Sequence, residues 1–270
     1  MARVPLNFGD KVSADATIEY IIDSVIGDGA TCIVYSAHYY DHQGLSHAVL
    51  LKECYPYADN IERINSTLSW KNEGEKELSI EKFKIAYEKL MVAQNGVGLS
   101  NSVAHAFDLI ETNGTAYSVT DITEGTTFEN DKSKSLTDIL KTVLALSRVV
   151  QKYHNNGYLH LDIKPSNFLV IPETRELVIL FDMDSVTSID DIESGKIVCV
   201  PYSKGWAAPE QIQGQIAKIG PWTDIYSIGA ILFEKVMGRK VENDDIGIFA
   251  DWDFEGEFFY KINPKIKNIL

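Results

Sequence analysis

The feature that most limits how this chain can fold is a change of hydrophobic period near residues 122–126. Before it, β-branched and aromatic residues come in short runs separated by turn residues. Residues 17–39 predict two strands joined by a glycine-containing turn, and 46–53 predict a third. Two more strands are expected near 103–111 and 116–122, with Asn113-Gly114 as the turn between them. One helical stretch interrupts this half, at about 75–94, while 55–73 shows no sustained period and reads as a loop. After Gly125 the spacing becomes helical. Leu140, Val143, Leu144, Leu146, Val149, Val150 and Tyr153 place a helix over 135–156, with Asn156-Gly157 as its stop. Short strands follow near 168–171 and 177–181, then helices at about 208–213 and 223–237, the latter capped by Thr223 and Asp224. A strand-rich half followed by a helix-rich half predicts an α+β architecture in two parts.

Composition narrows the function classes. A formal charge of −14 over 270 residues opposes general binding to nucleic acid or to an anionic membrane surface, and would tolerate a basic protein partner. The three cysteines, Cys32, Cys54 and Cys199, have no metal-ligand spacing and read as reduced thiols of a cytoplasmic protein. The first twenty residues break their apolar character with charges, unlike a signal peptide, and no apolar run is long enough to span a bilayer.

The chemistry concentrates at 158–170, YLHLDIKPSNFLV, where His160, Asp162, Lys164 and Asn167 sit between apolar flanks. Their spacing resembles a protein-kinase catalytic loop, and that resemblance implies phosphoryl transfer, which needs a carboxylate to orient and deprotonate the attacking hydroxyl, here Asp162. The transfer also needs an amide oxygen to hold a magnesium ion (Asn167) and a cation to neutralise the transferring group (Lys164). A plain turn is the competing reading, because Pro-Ser-Asn favours turns. The full register of residue types weighs against it.

These residues resemble the catalytic loop of eukaryotic-type Ser/Thr protein kinases, a family also found in bacteria. Further segments are similar to that family in the expected order. Gly27-Asp28-Gly29-Ala30-Thr31-Cys32-Ile33-Val34 resembles the glycine-rich phosphate loop, with Cys32 at the third glycine. Val49-Leu50-Leu51-Lys52 stands where the family places its phosphate-gripping lysine. The resemblance implies a helix glutamate as partner of Lys52, Glu88 being preferred over Glu81. It also implies adenine contacts from backbone groups between Asp121 and Thr123, with Thr120 behind the base. Ser203 to Glu210 resembles the end of the activation segment, and Asp224 the aspartate that braces the catalytic loop. In ILFDMDSV (179–186), Asp182 matches the metal-binding aspartate, so the implied metal ligands are Asn167 and Asp182.

Three departures bear on the reading. Leu161 replaces the arginine that in this family reads phosphate on the activation loop. Asp184 replaces a glycine, which is expected to restrict φ at some cost. The chain stops inside what reads as a late helix, as expected of a truncated C-terminus or of a natural chain that lacks the family's final helix.

The resemblance therefore implies a two-lobed protein-kinase-like fold. Residues 1–17 form an N-terminal extension, 18–122 an antiparallel five-stranded N-lobe with one helix, and 123–270 a mostly helical, incomplete C-lobe. The implied activity is ATP- and Mg2+-dependent phosphorylation of protein Ser or Thr. The implied catalytic residues are Asp162, Lys164, Asn167 and Lys52, with Gly27, Gly29, Val34, Lys52, Glu88, Asp121 and Thr123 at the nucleotide. The alternatives are a pseudokinase serving as a nucleotide-binding or scaffold module and, more weakly, a kinase of small metabolites.

Overall fold

The computed structural model describes residues 3–13, 18–95, 104–122, 124–132, 135–171, 173 and 175–242. The expected C-terminal helix and its interruption lie outside these residues, as does Thr123. The chain divides into two compact units, the first holding residues up to Gln94 together with Ala104–Thr123 and the second the remainder.

The first unit is built on an antiparallel sheet. Its strands are β1 (Lys11–Val12), β2 (Tyr20–Asp28), β3 (Cys32–Tyr40), β4 (Ser46–Cys54), β7 (Ala106–Thr112) and β8 (Thr115–Asp121), in the order β1-β2-β3-β4-β8-β7. Five of these match the strand-like runs of the sequence. The sixth, β1, comes from the N-terminal segment and pairs with β2 through Lys11↔Ile21 and Val12↔Tyr20. Asn113 and Gly114, both at positive φ (53° and 71°), make the tight β7–β8 turn whose twist suits a hairpin.

The stretch expected to be a loop carries a second hairpin, β5 (Ile61–Ile64) and β6 (Thr67–Trp70), turning through Asn65 at φ 54°. Its alternation is real but disguised. Ile61, Arg63, Leu68 and Trp70 are more buried than their neighbours, and an inward-facing arginine masks the period of two. The hairpin joins Leu6, Val12, Tyr20, Tyr35, Val49, Leu51 and Tyr117 in one apolar cluster on one face of the sheet. Its tip meets that of the β7–β8 hairpin: Leu68 N–H donates to Asn113 O at 2.8 Å, and Trp70 Nε1 to Gly114 O at 2.9 Å.

Buried inside that layer is a charge. Glu53 is fully buried and accepts from Tyr35 Oη (2.7 Å), Tyr117 Oη (2.8 Å) and Arg63 Nη2 (2.6 Å). A buried carboxylate is tolerable only when paired and hydrogen-bonded, and three donors meet that condition. Burial, reinforced by the Glu53 charge, raises the pKa of both phenols, so both remain donors. The opposite face holds a smaller cluster of Cys32, Cys54, Ala116 and Phe83, the last from helix α1 (Glu73–Asn95). Gln94 fixes the end of α1, donating to Ala106 O at 2.9 Å and accepting from Ala106 N–H at 2.7 Å.

In the second unit, α2 (Leu136–Asn155) buries Ile139, Val143, Leu146, Val150 and Tyr153, a stripe at three- and four-residue spacing. Gly157, at φ 79°, terminates it with its N–H on His154 O. Strand β9 (Thr126–Thr127) pairs with β11 (Phe168–Val170), which pairs with β12 (Val178–Leu180); β10 (Tyr158–Leu159) pairs with β13 (Thr187–Ser188). Two short helices, α3 (Ile189–Glu193) and α4 (Pro209–Ile212), precede α5 (Pro221–Met237), which packs on α2. Helix α5 begins two residues earlier than expected, at Pro221, where the missing N–H costs nothing. Thr223 still serves that end, its Oγ1 accepting from Gly220 N–H at 3.1 Å. No helix among the described residues is long and apolar enough to cross a membrane.

Candidate active site

The second unit carries the polar loop at 160–167 on a rigid frame. Asp224, fully buried in the first turn of α5, accepts from the backbone N–H of His160 (2.9 Å) and of Leu161 (2.8 Å). His154 Nε2 lies 2.9 Å from the same carboxylate. Asp224 is thus the brace that the sequence placed there, and His154 is a partner the sequence reading missed. Its signal was its position three residues before the helix-stopping Gly157.

Leu161 sits at φ 64°, a left-handed conformation costly for a branched residue. It is held there from three sides. Asp224 takes its N–H, Gln211 Nε2 donates to its carbonyl at 2.7 Å, and its side chain is 1% exposed. Around that side chain lie Leu159, Ile192, Val200 and Ile219, with Ile189, Ile197 and Ile216 packed against them. Where the family has a phosphate-reading arginine, this chain has an apolar cluster that anchors residues 189–200.

The frame aims three chemical groups together. Lys164 Nζ lies 2.7 Å from Asp162 Oδ2 and 2.9 Å from Ser203 Oγ. Asn167, 4% exposed, donates its Nδ2 to Asp162 O (3.0 Å) and Asp162 Oδ2 (3.2 Å). Spending the amide nitrogen on Asp162 orients the amide oxygen away from it, and that oxygen is the end able to meet a cation. The β11–β12 register, Phe168↔Leu180, puts Asn167 and Asp182 at the same end of that hairpin, and Phe181 N–H donates to Asn167 O at 3.1 Å. Burial holds the His160 pKa below its ordinary value, against the raising influence of Asp224, Asp182 and Asp162. The ring is therefore neutral and fully enclosed.

The strained residue of the 179–186 stretch is not the expected one. Asp182 is at φ 65°, whereas Met183–Ser185 form a 3-10 turn and Asp184 is not at positive φ. In this conformation Asp184 carries no left-handed penalty, so the expected cost of losing a glycine falls away. Aspartate is among the residues that tolerate the left-handed region, which suits the position at 182.

Ser203 to Glu210 is equally well tied. Gly205 (φ 97°) leaves room for Lys240, whose Nζ stands 4.1 Å from the Trp206 ring centroid. Trp206 Nε1 donates to Glu234 at 2.8 Å, and Thr223 Oγ1 donates to Glu210 at 2.6 Å. Gln211 spans both segments, reaching Leu161 O with its nitrogen and accepting from Ala208 N–H with its oxygen (3.1 Å).

In the first unit, Gly27 lies near the end of β2, paired with Val34, and Gly29 opens the β2–β3 turn. Neither is at positive φ, and a Cβ on either would meet only ordinary contacts, 3.5 Å from Val34 Cβ and 3.6 Å from Cys32 O. The unit's own packing therefore does not require glycine at these positions. Val34 pairs directly with Lys52, which shares a sheet face with Cys54 and hence with the side that α1 covers. Glu88 is exposed on α1, about 140° around the helix from the buried Phe83, and Glu81 is exposed on nearly the same face. Asp121 ends β8, exposed, with its N–H on His105 O at 2.9 Å.

Comparison with known proteins gives this arrangement its class. A model of the protein kinase domain matches residues 70–257. The chain belongs to that family, and its fold is a protein-kinase fold. The match begins beyond Lys52, so the glycine-rich segment and Lys52 rest on their own residues and geometry. Among curated relatives, smooth-muscle myosin light chain kinase of Gallus gallus is 29% identical over 160 residues, 55% of this chain and 8% of that protein. The serine/threonine-protein kinase PknA of Mycobacterium tuberculosis is 27% identical over 168 residues, 60% of this chain and 37% of that protein. The chain thus spans well under half the length of these relatives. A solved structure described as PpkA-294 apo form aligns with a TM-score of 0.65 at 27% identity, covering 87% of this chain and 80% of that one.

Proposed function

We propose that this chain is a catalytically competent protein serine/threonine kinase that uses ATP and Mg2+, with residues 18–122 as its N-lobe and 123–270 as its C-lobe. The observation that carries the reading is the convergence of Lys164, Asn167 and Ser203 on and around Asp162, held by a buried brace at Asp224. A scaffold has no need of a carboxylate aligned by a lysine and an amide at 2.7 and 3.2 Å. Asp162 accepts and holds the proton of the attacking hydroxyl, while Lys164 stabilises negative charge developing beside it. Lys52 neutralises nucleotide phosphate charge, with Glu88 as the proposed partner. Gly27, Gly29 and Val34 border the phosphates and base. The Asp121 N–H is committed to His105, so an adenine contact from that residue falls to its carbonyl, with Thr123 as the next candidate.

The donors at the end of the β11–β12 hairpin, the Asn167 amide oxygen and the Asp182 carboxylate, are hard oxygens of the kind magnesium takes. Two protein ligands suffice for an ion that is otherwise held by waters and phosphates, and no group of three or more His, Cys, Asp or Glu suited to a metal occurs among the described residues. Bound there, the ion would supply Lewis-acid neutralisation of phosphate charge. The proposed substrate is a protein hydroxyl, on a basic protein given the chain's charge of −14, and the proposed location is the cytoplasm.

The test is transfer of labelled γ-phosphate from MgATP to a basic protein or to the chain itself. Transfer is expected with the unaltered chain and its loss with Asp162→Ala, with circular dichroism unchanged. Nucleotide binding with no transfer above the Asp162→Ala level would instead make the protein a pseudokinase.

A further inference from the structure

We propose that Cys32 and Cys54 form a reversible oxidation site, a cross-strand thiol pair that a hydroperoxide converts to a disulfide. The two residues are direct partners in the β3–β4 ladder. The ladder's phase fixes what kind of pair they are. Tyr55 N–H donates to Thr31 O at 3.0 Å, so Thr31 and Tyr55 are a hydrogen-bonded pair, and the next pair along, Cys32↔Cys54, is not hydrogen-bonded. Side chains approach most closely in pairs of that kind, with Cα atoms about 4.5 Å apart, within the separation a disulfide spans. The Cβ atoms need to close by about 1 Å from their usual cross-strand spacing.

Both side chains point into one cluster with Phe83 and Ala116, and both are thiols in the structure. Each sulfur makes a long hydrogen bond: Cys32 Sγ lies 3.5 Å from Thr31 Oγ1, and Cys54 Sγ lies 3.6 Å from Ser79 O. Both side chains are buried, 4% and 3% exposed. Cys32 immediately follows the exposed residues Gly29, Ala30 and Thr31, whereas Cys54 is directed toward α1. A small oxidant therefore reaches the pair through opening of that adjacent turn, with Cys32 the sulfur next to it.

The chemistry balances with the peroxide as sole oxidant. The Cys32 thiolate attacks the terminal peroxide oxygen; an S–O bond forms, the O–O bond breaks, and the other oxygen leaves after protonation as an alcohol, or as water when the oxidant is hydrogen peroxide, giving the sulfenic acid. The Cys54 thiolate then attacks that sulfur; the S–S bond forms, the S–O bond breaks, and water leaves. A small thiol reductant reverses the bridge by exchange. The bridge closes the ladder one pair from Ile33↔Glu53 and two from Val34↔Lys52, joining the exit of the Asp28–Thr31 turn to the Lys52 strand. Its formation does not depend on the kinase reading.

The experiment uses the chain with Cys199→Ser, treated with hydrogen peroxide and digested without reduction. The expected product is an intramolecular peptide pair containing Cys32 and Cys54, lighter by two hydrogens and released by dithiothreitol. Hydrogen exchange should slow at residues 28–31 in the oxidised chain and recover on reduction. Recovery of Cys32 only as thiol, as sulfinic acid or in an intermolecular disulfide overturns the proposal. So does an equal, reversible slowing of exchange in a further Cys54→Ser variant.

Discussion

The glycines at the β2–β3 turn separate what a fold needs from what a ligand needs. The sequence suggested glycine for close approach of backbone to phosphate, and the structure gives no competing internal reason: neither φ nor packing demands it at 27 or 29. Gly27→Ala should therefore leave stability unchanged or raise it by about 0.5 kcal/mol, through reduced freedom of the unfolded chain. The same change should weaken ATP binding by about tenfold, a loss of about 1.4 kcal/mol. Chemical denaturation and nucleotide titration on one preparation check both halves, and equal losses in the two would show the glycine to be structural. Single residues were otherwise legible where chemistry fixed their type. Asp162, Lys164, Asn167 and Asp224 could be named because the family resemblance asks for one residue type at each of these spacings, and the structure ties them to one another. Conformation was less legible. The sequence drew attention to Asp184, yet the left-handed residues are Leu161 and Asp182, because φ is set by the hydrogen bonds that trap a residue and not by its departure from a pattern.

At the level of elements, the long helices and the glycine-bounded hairpins could be read directly, while β5–β6 could not. Each of its strands is four residues long, and one of the four inward positions is an arginine. The arginine makes sense only once Glu53 is known to lie beneath it, a pairing ten residues apart that no periodicity reports. That pair ties the hairpin to β4, where Glu53 is the neighbour of Lys52. Arg63→Ala would leave the Glu53 charge buried with only two phenols, a change expected to cost about 3 kcal/mol. A fall of several degrees in the melting temperature, with Glu53→Gln partly rescuing the Arg63→Ala background, is the expected result. Full stability in Arg63→Ala would mean that water reaches Glu53 and the hairpin is not tied through it.

For the molecule as a whole, the two-part plan followed from the change in hydrophobic period, because strands and helices that segregate along a chain must bury separate apolar faces. The expected five-stranded sheet gained an edge strand because residues before Ile18 supply Val12, fully buried, and Leu6, 3% exposed, to the first unit's core. Two units with their own cores need not lose stability with pH alike. In the second, His160 is wholly buried and its pKa lowered. The unfolded chain takes up a proton there below about pH 6.5, the ordinary histidine value, while the folded chain does not until the pH is lower still. The folded state thus binds fewer protons in that window, so this contribution is complete above pH 6.5 and is lost as pH falls below it. Urea midpoints should be level between pH 8 and 7 and decline toward pH 5, with a shallower decline in His160→Phe. Trp206 and Trp222 report from the second unit and Trp70 from the first, so with Trp252 replaced, single-tryptophan variants assign the transition. An acid decline of equal slope in His160→Phe would place the responsible proton elsewhere, whereas a shallower one seen only through Trp206 and Trp222 ties acid sensitivity to the buried frame of the catalytic loop.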